Sequence, residues 1–162
     1  MNESGNRPVA DVFELNSRLF RNCLVGLSEA EGQVRPNQHT NNVAFIAGHL
    51  VESRAWMARQ LGVECPAPFG GVLEHARSLA EVTALPTLAS IRSEWDDTSG
   101  IVLARLAVMT AADFAAPSPQ RMPGVADTIR GLVDFLGHHE SYHIGQLAYL
   151  RKYLGFPAMS YR

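Results

Sequence analysis

Residues 127–154 read DTIRGLVDFLGHHESYHIGQLAYLRKYL. Steps of three or four residues pick out Ile129, Leu132, Leu136, His139, His143, Leu147, Leu150 and Leu154, the apolar stripe of an amphipathic helix. Two adjacent steps carry histidine where leucine belongs. At about 100° per residue, positions 139 and 143 are offset by about 40°, with Cβ atoms roughly 5–6 Å apart. Two imidazoles so placed on an inward face are a ready pair of metal ligands, whereas a solvated cluster belongs on the opposite face. His138 lies about 100° from His139 and about 140° from His143. It is expected to flank the site rather than ligate.

Upstream, 9–27 reads as a first helix with Val9, Phe13, Phe20, Cys23, Leu24 and Leu27 on its inner stripe. Asn16 interrupts that stripe, either as a satisfied core amide or as a group facing a polar pocket. The segment 28–42 is a polar connection. Thr40, Asn41 and Asn42 are all good N-cap types for a second helix at 43–61. Its stripe is Ile46, His49, Leu50, Ser53, Met57 and Leu61, so a third histidine occupies an apolar position in mid-helix. Gly48 and Gly145 stand beside the histidines. Glycine inside a helix costs up to about 1 kcal/mol against alanine, so both are expected to permit close approach of the second and last helices.

A loop at 63–71 and a short helix within 72–82 follow, with His75 on the surface. Thr87 caps a third long helix to about 109, whose stripe is interrupted at Thr98 and Ser99. The stretch 113–127 is Pro-rich and irregular, and Asp127 is the expected cap of the last helix. Four long helices with polar interruptions near their midpoints predict an all-α four-helix bundle with a polar core site. The long connection between the second and third helices allows a crossover and an up-down-down-up order. At 162 residues, 46% hydrophobic, the whole chain 1–162 reads as one domain.

The net charge is −2, which leaves no basic footprint for nucleic acid and no polybasic patch for a membrane. The polar start MNESGNRPVA lacks the apolar core of a signal peptide, and no run is long enough to span a bilayer. Two cysteines, Cys23 and Cys65, are too few for a disulfide framework, so a reduced, cytoplasmic setting is expected. Cys65, in a Pro/Gly-rich loop, reads as a candidate exposed thiol with no activating neighbour.

His139-Glu140-Ser141-Tyr142-His143 also fits H-E-x-x-H, the zinc-protease pattern with glutamate as base. Those enzymes take a third ligand downstream, and no His, Asp, Glu or Cys follows His143. Glu140-x-x-His143 is half of a carboxylate di-iron site, whose second half is missing: Glu14, Glu52 and Glu94 are followed at +3 by Ser17, Ala55 and Asp97. A mononuclear site of His49, His139 and His143 remains. Neutral imidazoles suit Zn²⁺, Ni²⁺ or Fe²⁺, and three protein ligands leave a position open. Because the ligands must be neutral, affinity is expected to fade around pH 6.5, the ordinary histidine range.

Ala47-Gly48-His49-Leu50 with Trp56, and His139-Glu140-Ser141-Tyr142-His143-Ile144-Gly145-Gln146-Leu147 with Leu150-Arg151, resemble the DinB/YfiT-like superfamily of metalloenzymes over nearly the whole chain. The resemblance implies an up-down-down-up bundle, a divalent metal (often nickel or zinc) on His49, His139 and His143, and a homodimer. It also implies chemistry seen in relatives: S-transfer or isomerisation with a low-molecular-weight thiol. An enzyme acting on a small molecule, by thiol transfer or hydrolysis, is one expectation, with Glu140 and His138 as candidate proton-transfer groups. The other is a non-catalytic metal- or ligand-binding protein of a stress response.

Overall fold

The stripes become helices where a capping side chain starts them and a positive-φ glycine or an irregular segment stops them. The computed structural model describes residues 7–162, so the polar start at 1–6 lies outside the described residues. It is all-α: α1 Arg7–Leu24, α2 Glu29–Gly32, α3 Val43–Gln60, α4 Leu88–Val108, α5 Ala111–Ala115 and α6 Ile129–Tyr153, with one 3₁₀ turn at Leu79–Glu81. Asn42, Thr87 and Thr128 cap the three long helices after α1, each accepting a backbone N–H three residues on. Among the described residues no helix is long and apolar enough to cross a membrane.

Three local expectations are corrected. Thr128, not Asp127, caps α6, because Asp127 is engaged elsewhere: its carbonyl accepts from Ser118 N–H and its carboxylate pairs with Arg121. The start of the irregular stretch falls within α5, nucleated by a capping box between Thr110 and Asp113. The expected helix within 72–82 shrinks to the single 3₁₀ turn, since side chains from α3 and its N-terminal flank hold the chain around it in turns. Glu52 accepts the N–H groups of Phe69, Gly71 and Leu73, and Asn41 accepts that of Leu79. Cys65 is likewise not exposed: it is 3% accessible and packs with the apolar cluster containing Met57 and Leu106.

Each long helix packs against two others: α1 on α4 and α6, α3 on α4 and α6. Asn16 reaches Glu140 and Cys23 reaches the carbonyl of Ile144, so α1 and α6 run in the same sense. Trp95 donates to the Ser17 carbonyl and Arg92 to that of Leu24, so α1 and α4 are antiparallel. Ile46 shares a cleft with Tyr149 and Leu150 while Trp56 shares one with Phe135 and Leu136, so α3 and α6 are antiparallel too.

The buried apolar side chains form two clusters, one around Phe20, Leu50, Trp95 and Leu147, the other around Phe13, Met57, Leu106 and Leu132. Every long helix carries a polar interruption between them: Asn16 and Ser17 on α1, Glu52 to Arg54 on α3, Thr98 and Ser99 on α4, Glu140 on α6. The interruptions seen in the sequence thus meet in one layer across the middle of the molecule.

The two glycines do not do what their spacing suggested. A Cβ on Gly145 would meet nothing within 4 Å, so it packs against no helix. A Cβ on Gly48 would stand 2.6 Å from Leu73 Cδ1 and 3.2 Å from Pro86 Cγ, both in the connection between α3 and α4. Gly48 therefore admits the connection, not α6. Gly48→Leu is expected to cost about 1–3 kcal/mol by overpacking, read as a drop in the urea midpoint. An unchanged midpoint would mean that Leu73 can move aside freely.

Candidate metal centre

His139 and His143 lie one turn apart on α6, and His49 faces them from α3. The Nε2 atoms converge: His49 to His139 is 3.2 Å and His143 to His139 is 3.1 Å. One ligand atom from each ring fits within 4.8 Å of the others. A backbone carbonyl can only accept, so His49, 2.7 Å from the carbonyl of Leu73, carries its proton on Nδ1 and donates it there. His143 donates from Nδ1 to Gln146 Oε1 at 2.7 Å. Both rings thereby present an unprotonated Nε2, the arrangement by which metal-bound histidines are oriented.

His139 can offer at most one proton at Nε2 to those two lone pairs, so protons alone cannot satisfy the cluster. A divalent cation can. Nitrogens at ~2.0–2.1 Å from a tetrahedral ion stand about 3.3 Å apart, close to the spacing found. His139 is the least constrained ring: its Nδ1 has no hydrogen-bond partner among the described residues, and Phe135 stacks beside it at 6.4 Å. Burial, reinforced by His143 and His49, pushes His139 down to about 3. Burial also lowers His49 and His143 below the ordinary histidine value. All three are therefore neutral at pH 7, the form a metal requires.

The candidate proton-transfer groups are not brought to the cluster. Glu140 is 2% exposed and points into the polar layer rather than to the solvent flank. Its carboxylate takes two hydrogen bonds from Arg54, at 2.6 and 2.9 Å, and one from Asn16 at 3.2 Å. Asn16 is thus a satisfied core amide, donating also to the Gly137 carbonyl. His138 is exposed and lines a separate groove with Val12, Asp134 and Ser141.

Three residues to which spacing assigned no part in the site matter here. Arg54 is fully buried and reaches all the other long helices: Glu140 on α6, Ser17 and the Phe13 carbonyl on α1, Ser99 on α4. Glu52, one turn after His49, ties down the loop through Leu73 and so sets the carbonyl that orients His49. His75 is 82% exposed yet shares a cleft of about 180 Å³ with His49, His139, Trp56, Phe135 and Glu74. Its Nε2 lies 3.2 Å from Glu74 Oε1, and Glu74 also pairs with Arg59. For Glu52 the signal was available, an acidic residue inside an otherwise apolar helix face. His75 sits in irregular chain, where spacing carries no direction.

The DinB superfamily matches this chain over residues 13–147, a stretch that contains α3, the connection and the histidine segment of α6. The chain belongs to the DinB superfamily. No curated protein matches it. The superfamily assignment and the three-histidine cluster agree on one point: a site compatible with a divalent metal, formed where α3 meets α6.

Proposed function

We propose that this DinB-superfamily protein is a metal-dependent enzyme acting on a small molecule, with thiol S-transfer as its reaction and hydrolysis as the nearest variant. The observation that carries the reading is the convergence of three neutral Nε2 atoms, two of them from rings, His49 and His139, that line a cleft. Zinc or nickel is the proposed metal, with iron compatible. The helix senses support an up-down-down-up bundle, in which α3 and α6 run antiparallel at the site.

A divalent ion held by His49, His139 and His143 supplies Lewis acidity that lowers the pKa of a thiol or water. The chain's own residues supply the rest. Trp56, Met122, Phe135 and Leu136 make an apolar wall that excludes water from an electrophile. His75, hydrogen-bonded to Glu74 at the cleft mouth, is the group proposed to carry the proton to solvent, the role that Glu140 and His138 are not placed to fill. In the transfer, the thiol loses that proton and its sulfur forms a C–S bond. The displaced electron pair leaves with the departing group or enters a conjugated acceptor.

A purely structural metal staple is the other reading. The Arg54–Glu140 pair already ties α3 to α6 beside the cluster, so this seam does not need a second cross-tie to hold. That favours an open, reactive site. Elemental analysis of His49→Ala, His139→Ala and His143→Ala is expected to show loss of stoichiometric metal, with His75→Ala and His39→Ala fully loaded. His75→Ala should then lose about a hundredfold in turnover with a thiol and an electrophile panel. Full loading of His49→Ala would sink the interhelical site; no turnover by the loaded protein across the panel would sink the enzyme.

A further inference from the structure

We infer a second small-molecule site, on the outer face of α6, that takes an uncharged flat ring bearing a carbonyl or carboxamide. The argument starts from Gly145. It lies within α6, where glycine weakens a helix relative to alanine. It is exposed, and a Cβ there would meet nothing. No packing contact explains the missing side chain.

Gly145 stands three residues after Tyr142 and four before Tyr149, so all three share one stripe of the helix. The tyrosines are 61% and 67% exposed. Seven residues of helix separate them by about 10 Å along the axis, and a flat ring held between two others needs about 7 Å. The glycine leaves a notch between two aromatic side chains, in a cleft of about 540 Å³ closed on the far side by Ile46 and the segment 36–41. That volume is in the range of small-molecule sites.

The lining chooses the ligand. Among the described residues no lysine, arginine or carboxylate lines this cleft, and its one imidazole, His39, has its Nε2 against Gln38 at 3.2 Å, so a charged ligand would lose hydration without gaining a fixed counter-charge. Of the polar side chains that line it, Thr40 donates to the Asn37 carbonyl and Asn41 is bonded to Arg77 and Leu79, which leaves Gln146 as the donor on α6. Its Oε1 is occupied by His143 Nδ1–H, and its amide nitrogen has no acceptor among the described residues. That nitrogen is a donor for a ring carbonyl, which is why an acceptor-bearing neutral ring fits. Through Gln146 the occupant also touches the group that orients His143. The site is independent of the metal-dependent reading, and chelator-treated protein tests it alone.

The probes are nicotinamide and its charged twin nicotinate, followed by saturation-transfer NMR on the full chain. Nicotinamide is expected to bind, and nicotinate at least about fivefold more weakly. Gly145→Leu should weaken nicotinamide binding at least tenfold while raising the melting temperature by about 2–4 °C, since the space is open and the helix propensity improves. Tyr149→Ala should give the same loss of binding. The site is overturned if the unsubstituted protein does not bind nicotinamide, if nicotinate binds as well, or if Gly145→Leu and Tyr149→Ala bind as the unsubstituted protein does.

Discussion

Replacing Arg54 with methionine should cost about 3–5 kcal/mol of stability, the largest effect expected of any single substitution outside the apolar clusters. The guanidinium is fully buried and hydrogen-bonded on every side: to Glu140, Ser17, Ser99 and the Phe13 carbonyl. It also lies over the Trp95 ring, 3.7 Å from the centroid. Removing it strands the Glu140 carboxylate in the interior with Asn16 as its remaining partner. An unpaired buried charge, more than the lost attraction, sets the size of the effect. The double substitution Arg54→Met/Glu140→Leu removes both charges and should recover most of the loss. Urea denaturation of the two singles and the double decides it. A double variant no more stable than Arg54→Met would show that packing on Trp95 and Phe13, not charge, is what Arg54 contributes. Because the pair is buried, added salt should barely change the result.

The second large effect is the dependence of stability on metal and pH. Metal that binds the native protein and not the unfolded chain stabilises by about 2.7 kcal/mol at a hundredfold excess over Kd, which is about 5–10 °C in melting temperature for a chain of this length. The ordinary histidine value of about 6.5 is not where this should fade. Burial lowers His49, His139 and His143 in the native protein, His139 to about 3. The native rings keep their neutral form to lower pH than an unshifted histidine, so the metal-dependent shift should extend below the ordinary histidine range and decline as His49 and His143 take up protons. The metal-free protein behaves differently. Between pH 6.5 and the lowered native values the unfolded chain binds more protons than the native one, so stability is full above 6.5 and is lost as pH falls. Melting with and without chelator at pH 8, 6 and 4 separates the two. A metal shift that fades with the midpoint of an unshifted histidine would mean that the rings are not shielded as found, and an equal shift at pH 8 and pH 4 would mean that histidines are not the ligands.

Much of the site could be read before any fold was known. His139 and His143 are four residues apart on a continuous stripe, and helix geometry alone puts both on one inward face. His49 stood out for the same reason, as a polar residue in an apolar position. Asn42 and Thr87 announced helix starts because a short side chain with an oxygen satisfies backbone N–H groups locally. The polar interruptions at Asn16, Thr98 and Ser99 were equally visible, but what they face was not. Asn16 is the satisfied core amide that was one of its two readings, and with Ser99 it borders the ion pair of Arg54 and Glu140, while Thr98 bonds back to carbonyls of its own helix.

The difference is one of range. Periodicity tells which way a side chain leaves its own helix, because that depends on residues three and four positions away. So the sequence by itself determined the four long helices, the inward histidines and the polar midpoints, whereas the short α2 and α5 escaped it. Which neighbour meets each side chain depends on groups 37 to 124 residues distant, as between Arg54 and Ser17 or Asn16 and Glu140. The carbonyl of Leu73 that orients His49, the engagement of Glu140 by Arg54 rather than by the histidine cluster and the open notch at Gly145 were decided only by tertiary structure. Each is a contact, or the lack of one, with chain that local spacing cannot place.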